Sequence, residues 1–332
     1  MHKSLLALTI CLTVVYSIYN GVEVKQGEYP YLVYLMVDPG TPKTYACGAG
    51  IISSRYVMSA GHCSFGDFFQ VIVGRIDVRG YRRTDLYNIT KANRPLDFGK
   101  DGLFDYNDIA IYELEKPIDE VENYTQYMDI AINAPPVGEP IHVAGFGQLA
   151  GPTGTSKVHH GVTHVAPDND CKTFDDYRTE VAYCTNDTNL YCCPGDSGSP
   201  FVVKPSGSTR WVSVGINSYG KNGQCGFKSP ESVVADVSTM TEFIKQHTTL
   251  APPNFVTVKY TNPLSTTKAP QTTNAPTTIN PTTIEPTTLF SQAPTKSDEV
   301  KTVETPTSDA GVIREAVAYV VSLLAVVTAV FM

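Results

Sequence analysis

Residues 18 to 250 predict an all-β domain, built as a sandwich or as barrels. Two observations carry that prediction. Short runs rich in Val, Ile, Tyr and Phe alternate with Gly, Pro, Asn and Asp, the composition of strands cut by turns. Five such runs read as strands: Tyr31 to Val37, Phe69 to Val73, Ile109 to Tyr112, Ile141 to Ala144 and Trp211 to Ile216. The second observation is that helical spacing is clear only once, over Val237 to His247. There Met240, Phe243 and Ile244 share a face behind Ser238 as N-cap.

The rest of the 332 residues divides by composition. A basic start at His2-Lys3, an apolar run from Leu5 to Tyr16 and small Val15 and Ser17 read as a secretory leader, residues 1–17, cleaved after Ser17. From 251 to 310, Thr-Thr pairs recur between prolines, as in Ala275-Pro276-Thr277-Thr278. Such a segment has too little apolar surface to build a core and reads as a disordered, mucin-like stalk. Residues 311–332 end in an apolar run from Ala316 to Met332, preceded by Ser308-Asp309-Ala310-Gly311. This is the pattern of a GPI-attachment signal, with a single transmembrane helix as the alternative. Either anchor tethers the domain to the outer face of the plasma membrane; without one it is secreted.

Export implies an oxidising compartment. Of eight cysteines, Cys11 falls in the leader, leaving seven. Asn88, Asn123 and Asn186 each begin an Asn-x-Thr sequon. A net charge of −8 with no basic stripe excludes nucleic acid as a partner. No cofactor motif and no metal-ligand cluster stands out.

The chemistry lies in three segments. Cys193-Pro194-Gly195-Asp196-Ser197-Gly198-Ser199-Pro200 bends small residues around one serine. Upstream, Ser59-Ala60-Gly61-His62-Cys63 supplies a histidine, and Asn107-Asp108-Ile109-Ala110 an aspartate in an apolar frame. A serine hydroxyl needs a neighbouring base to attack a carbonyl, and the base needs a partner that fixes its tautomer. Ser197, His62 and Asp108 fit those roles in an order known for acyl transfer. Each alone has a plainer reading as a turn or structural residue.

Together these motifs resemble the trypsin/chymotrypsin-like serine peptidases over residues 18 to 250. The resemblance implies two six-stranded antiparallel β-barrels with the active site between them, and one C-terminal helix. It implies a His62–Asp108–Ser197 triad and an oxyanion hole from the N–H groups of Gly195 and Ser197. Ser218-Tyr219-Gly220 matches the segment that supports the aspartate and pairs with substrate. Disulfides Cys47–Cys63, Cys171–Cys184 and Cys193–Cys225 follow from the same match, leaving Cys192 over in the specificity pocket. Ile18-Tyr19-Asn20-Gly21 resembles the activated N-terminus, whose ammonium would pair with Asp196. No Lys or Arg precedes Ile18, so leader removal itself would create that terminus.

The chain departs from the family pattern at Ser199, where glycine is usual. It departs again at Tyr191, six residues before the nucleophile, where a Lys/Arg-specific member has aspartate. Tyr191 and Cys192 imply a neutral, chymotrypsin- or elastase-like pocket; Glu231, if inward, would admit a basic residue. Expected partners are protein or peptide substrates, protein inhibitors and, through the anchor, a membrane; the protein is expected to be a monomer. A catalytically weak binding or decoy protein on the cell surface is the alternative.

Overall fold

A computed structural model describes residues 18–38, 45–99, 106–147, 157–172, 174, 177–186, 190–220 and 232–261. The leader, the Thr/Pro segment beyond 261, the apolar tail, Cys225 and Glu231 lie outside these residues.

The chain begins with two short strands, β1 (Ile18–Tyr19) and β2 (Val22–Glu23). Six more follow: β3 (Leu32–Asp38), β4 (Tyr45–Ser53), β5 (Tyr56–Ser59), β6 (Phe68–Ile72), β7 (Leu86–Asn93) and β8 (Ala110–Leu114). These six close into an antiparallel barrel in the order β3-β4-β5-β8-β7-β6. Leu35, Ile51, Val57, Val71 and Ile111 are completely buried in its core.

The second half contributes β9 (Asp129–Ala131), β10 (Pro140–Gly145), β11 (His159–His164), helix α1 (Asp168–Cys171), β12 (Ala182–Cys184), β13 (Tyr191–Cys192), β14 (Pro200–Val203), β15 (Val212–Gly220) and β16 (Ser232–Asp236). Six of its strands run β12-β16-β15-β14-β10-β11. A bridge between Val165 and Thr185, with Ala166 N–H donating to Cys184 O at 2.8 Å, joins the two ends into a second ring. Strand β2 adds to β11, and β9 adds to β15. This is the expected two-barrel architecture. Ile141, Val143, Phe201, Val214 and Val234 are buried in the second core.

A 3₁₀ turn, Val237–Met240, runs into helix α2 (Thr241–His247). The cap differs from expectation: it is Asp236, not Ser238. The Asp236 carboxylate accepts from Ser238 N–H at 2.9 Å and from Ser238 Oγ at 2.6 Å, and a carboxylate satisfies an orphan helix donor well. The ordered chain also continues past residue 250. Strand β17 (Phe255–Val256) lies parallel to β9. Beyond it, Val258 exchanges two hydrogen bonds with the Asn133 side chain, and Thr261 bonds Glu139. The change to Thr/Pro-rich composition after Leu250 masks this extension in the sequence.

Candidate active site

The histidine and the aspartate meet at the first barrel. His62 lies in a one-turn 3₁₀ helix, Gly61–Ser64, directly after β5. Asp108 precedes β8, which pairs with β5 through Ser59 and Ala110, so the two loops leave the same barrel end together. Asn107 holds a left-handed backbone, φ 53°, which short polar side chains tolerate, and Ile109 N–H closes the bend on Asn107 O at 2.7 Å.

Asp108 is fully buried, yet both of its oxygens are satisfied. Oδ1 accepts from His62 N–H at 2.8 Å; Oδ2 accepts from His62 Nδ1 at 2.8 Å and from Ser218 Oγ at 2.5 Å. With Nδ1–H committed to the carboxylate, the free nitrogen of a neutral His62 is Nε2, the form a general base needs. Burial alone would lower the His62 pKa; the Asp108 charge and hydrogen bond overcome it and raise the pKa above the ordinary value. Ser218 reaches Asp108 because the β15–β16 register shifts between Asn217 and Tyr219. Such a bulge re-aims a side chain.

Ser197 lies between β13 and β14 on a loop tied at several points. Asp196 N–H donates to Cys193 O, Gly198 N–H to Asn217 O, and Gly48 N–H to Ser197 O, all within 2.8–2.9 Å. Gly195 has φ 94°, a conformation that a side chain would strain. Gly48 of β4 packs tightly on the loop: a Cβ there would lie 2.0 Å from Ser199 Oγ. Ser199, at the position where glycine is usual, is thus housed by a missing side chain across from it. Ser59 Oγ donates to Gly48 O at 2.7 Å, so the strand that leads to His62 also braces the serine loop.

Next to Ser197, Asp196 is fully buried. Burial pushes its carboxyl pKa well up, against the N–H groups of Cys193 and Gly147, which each bond it at 2.8 Å. Ile18, also completely buried, pairs with Cys192 across β1 and β13. Cys192 is the free cysteine of the described residues; burial raises its thiol pKa, and the Asp196 charge adds to this. Tyr19 pairs with Tyr191 by backbone. Tyr219 stands edge-on to Phe174 at 5.5 Å, and Gly220 pairs with Ser232 of β16.

Disulfides join Cys47 to Cys63 and Cys171 to Cys184, and Cys193 is also disulfide-bonded. Cys47, Cys63 and His62 bring ligand-type atoms together, but the two sulfurs are bonded to each other and the imidazole is committed to Asp108. All three sequon asparagines are exposed, and Asn123 occupies a turn at φ 62°.

Sequence reasoning missed several neighbours of the site. Phe98 packs on Gly61 beside Asp108, and Arg94 stacks over Phe65 at 4.3 Å while bonding Ser64 Oγ. Their one sequence signal is the aromatic and basic character of Arg94-Pro95-Leu96-Asp97-Phe98, upstream of Asp108.

Residues 18–244 match the family model described as Trypsin, and the chain belongs to that family. It is a serine endopeptidase of the trypsin type. It is 27% identical over 244 residues to chymotrypsin-C of Rattus norvegicus, covering 68% of this chain and 87% of the relative. It is 28% identical over 249 residues to trypsin theta of Drosophila melanogaster, covering 68% and 84%. Phenoloxidase-activating factor 3 of Holotrichia diomphalia is 26% identical over 261 residues, covering 70% and 72%. A solved structure described as "Structure of GrC" has the same fold, with TM-score 0.60 at 24% identity over 68% of this chain and 97% of that one.

Proposed function

We propose that this peptidase cleaves extracellular proteins through a His62–Asp108–Ser197 triad, after neutral residues, while tethered to a membrane. Ser197 Oγ attacks the scissile carbonyl as His62 Nε2 takes its proton. His62 then gives that proton to the leaving amine, and water resolves the acyl-enzyme by the same route. Asp108 holds the imidazole and stabilises its cation. The N–H groups of Gly195 and Ser197 receive the oxyanion.

The observation that carries this reading is the buried Asp108 carboxylate, engaged by His62 and Ser218 together. Support for the neutral preference is Tyr191 where an aspartate would select basic residues. Ser218 to Gly220 would bind substrate as an added strand. For activation, support comes from the buried Ile18, paired with Cys192 four residues before Asp196. A freed Ile18 ammonium would neutralise the Asp196 carboxylate, which otherwise bears the cost of burial. The Thr/Pro stalk and apolar tail support tethering.

The test is hydrolysis of a peptide library by the full-length chain expressed in a secretory host, beside Ser197→Ala. Cleavage after small or aromatic residues, lost in the variant, supports the reading. Cleavage after Lys or Arg would place the specificity with Glu231, and an inert wild-type protein with Ile18 at its N-terminus would refute turnover.

A further inference from the structure

A second pair of histidines lies outside the active site. His142 on β10 and His160 on β11 sit on the outer face of the second barrel, where Tyr29 of the chain entering β3 covers them. Tyr29 Oη is 3.3 Å from His142 Nδ1 and 2.9 Å from His160 Nδ1. Glu28 Oε1 is 3.5 Å from His160 Nε2. The Tyr29 ring stacks on Trp211 at 4.9 Å, His142 meets the same indole edge-on at 5.1 Å, and Trp211 Nε1 donates to Glu28 O.

We propose that Tyr29, His142 and His160 form a clasp that positions the N-terminal segment for catalysis and opens when both imidazoles carry a proton.

The hydrogen-bond inventory gives the reason. The Tyr29 hydroxyl has one proton, which burial secures, with the Glu28 charge second. It donates to one Nδ1 and accepts from the other, so neutral rings satisfy it. One imidazolium is also tolerated, since its ring donates to the oxygen while the other ring still accepts. A second proton, on His142, leaves the hydroxyl facing two N–H groups with no acceptor. The surroundings oppose that proton. Burial lowers the His142 pKa first and the His160 charge second, while Glu28 partly offsets them. The other charges nearby are Lys204, 5.2 Å over the Trp211 ring, His159 beside His160, and the Lys157–Glu23 ion pair at 2.6 Å.

The clasp matters to the site because His160 is also a seam residue. Its backbone pairs with Val22 of β2, and His159 pairs with Glu23. Val24 N–H donates to Val158 O at 2.9 Å. Thus β11 holds the segment by its backbone and, through His160, by its ring. Four residues before Val22, Ile18 enters the pairing with Cys192, next to the serine loop.

The sign follows. A histidine whose folded pKa lies below its unfolded value contributes stability fully present above about pH 6.5 and lost as the pH falls through the depressed value.

Trp211 is the only tryptophan of the chain, so its emission reports the clasp directly. The experiment titrates the full-length protein from pH 8 to 5, reading Trp211 emission and hydrogen exchange at Val22 and Val24. Wild type, His142→Asn and Tyr29→Phe are compared. In wild type, emission should change with a midpoint below about pH 6.5, and exchange at both amides, corrected for the intrinsic slowing of amide exchange at lower pH, should rise through the same range. His142→Asn keeps a carboxamide where Nδ1 was, so its emission and exchange should lose that titration. Its activity relative to wild type should rise as pH falls, since the His62 limb is common to both. Tyr29→Phe should exchange fast at pH 8 already, with little further pH dependence. A flat wild-type titration, or an unchanged one in His142→Asn, would overturn the clasp. Neither readout requires activity, so the clasp and the triad can fail separately.

Discussion

Ser218 Oγ donates to Asp108 Oδ2 at 2.5 Å, the third donor on a carboxylate that His62 already engages through both its backbone and its ring. The Ser218 side chain therefore acts on the carboxylate. Ser218→Ala removes one donor from a fully buried anion, a loss of roughly 1–3 kcal/mol. We expect kcat/KM to fall about tenfold or more and the acid limb of the pH–rate profile to move upward. The more basic carboxylate would hold the imidazolium more tightly. Steady-state kinetics across pH check both.

The His62 limb has a definite direction. Its pKa is raised by Asp108 despite burial, so activity should rise with pH through a midpoint above about 6.5. The linked stability has the opposite sign to that of His142. It is fully present below the unfolded value and is lost as pH rises through the folded one. Asp108→Asn should remove this slope and cut kcat by on the order of 10³–10⁴. Denaturant melts at pH 5, 7 and 9, with kinetics, test the pair.

Gly48 and Ser199 should be coupled. In Gly48→Ala the new Cβ would meet Ser199 Oγ at 2.0 Å, and overpacking of this kind costs about 1–3 kcal/mol. Ser199→Gly removes Oγ and Cβ and leaves only the backbone Cα, at 3.0 Å. The double variant should therefore recover part of the lost stability and activity, and a thermal-melt double-mutant cycle measures how much.

Much of the site was legible because its chemistry is local. The segments around His62, Asp108 and Ser197 are short motifs that admit few readings when they occur together in this order. The bracing was not legible. Ser59 bonds Gly48, Phe98 covers Gly61, and Tyr29 joins His142 to His160, each across sequence distances that no local pattern encodes. The fold divides similarly. The buried runs of β3, β8, β10 and β15 carry apolar residues in strand-like stretches. Strand β4 hides among the small residues Cys47-Gly48-Ala49-Gly50, two of them glycines pressed against the serine loop and Met128. Strand β7 is half-exposed, and its Leu86, Tyr87 and Ile89 bury only partly among polar neighbours, so its apolar pattern is weak.

The segment after α2 should prove part of the peptidase domain. Val258 is 5% exposed and Tyr260 Oη donates to Asn133 O at 2.6 Å. A chain ending at residue 250 loses that buried valine, a loss of roughly 1.5–3 kcal/mol, together with its hydrogen bonds. It should melt below a chain ending at residue 261 by several degrees. Equal melting temperatures would mean that the segment adds nothing to the domain.

The most direct measurement of the central claim is covalent capture. The full-length protein is treated with a fluorophosphonate at pH 8, and the adduct is located by mass spectrometry. The account predicts one stoichiometric adduct on Ser197, slowed by several orders of magnitude in Asp108→Asn and slowed again as pH falls below the His62 midpoint. An unmodified Ser197 in a protein whose N-terminus is Ile18, or labelling that is indifferent to Asp108, would contradict it.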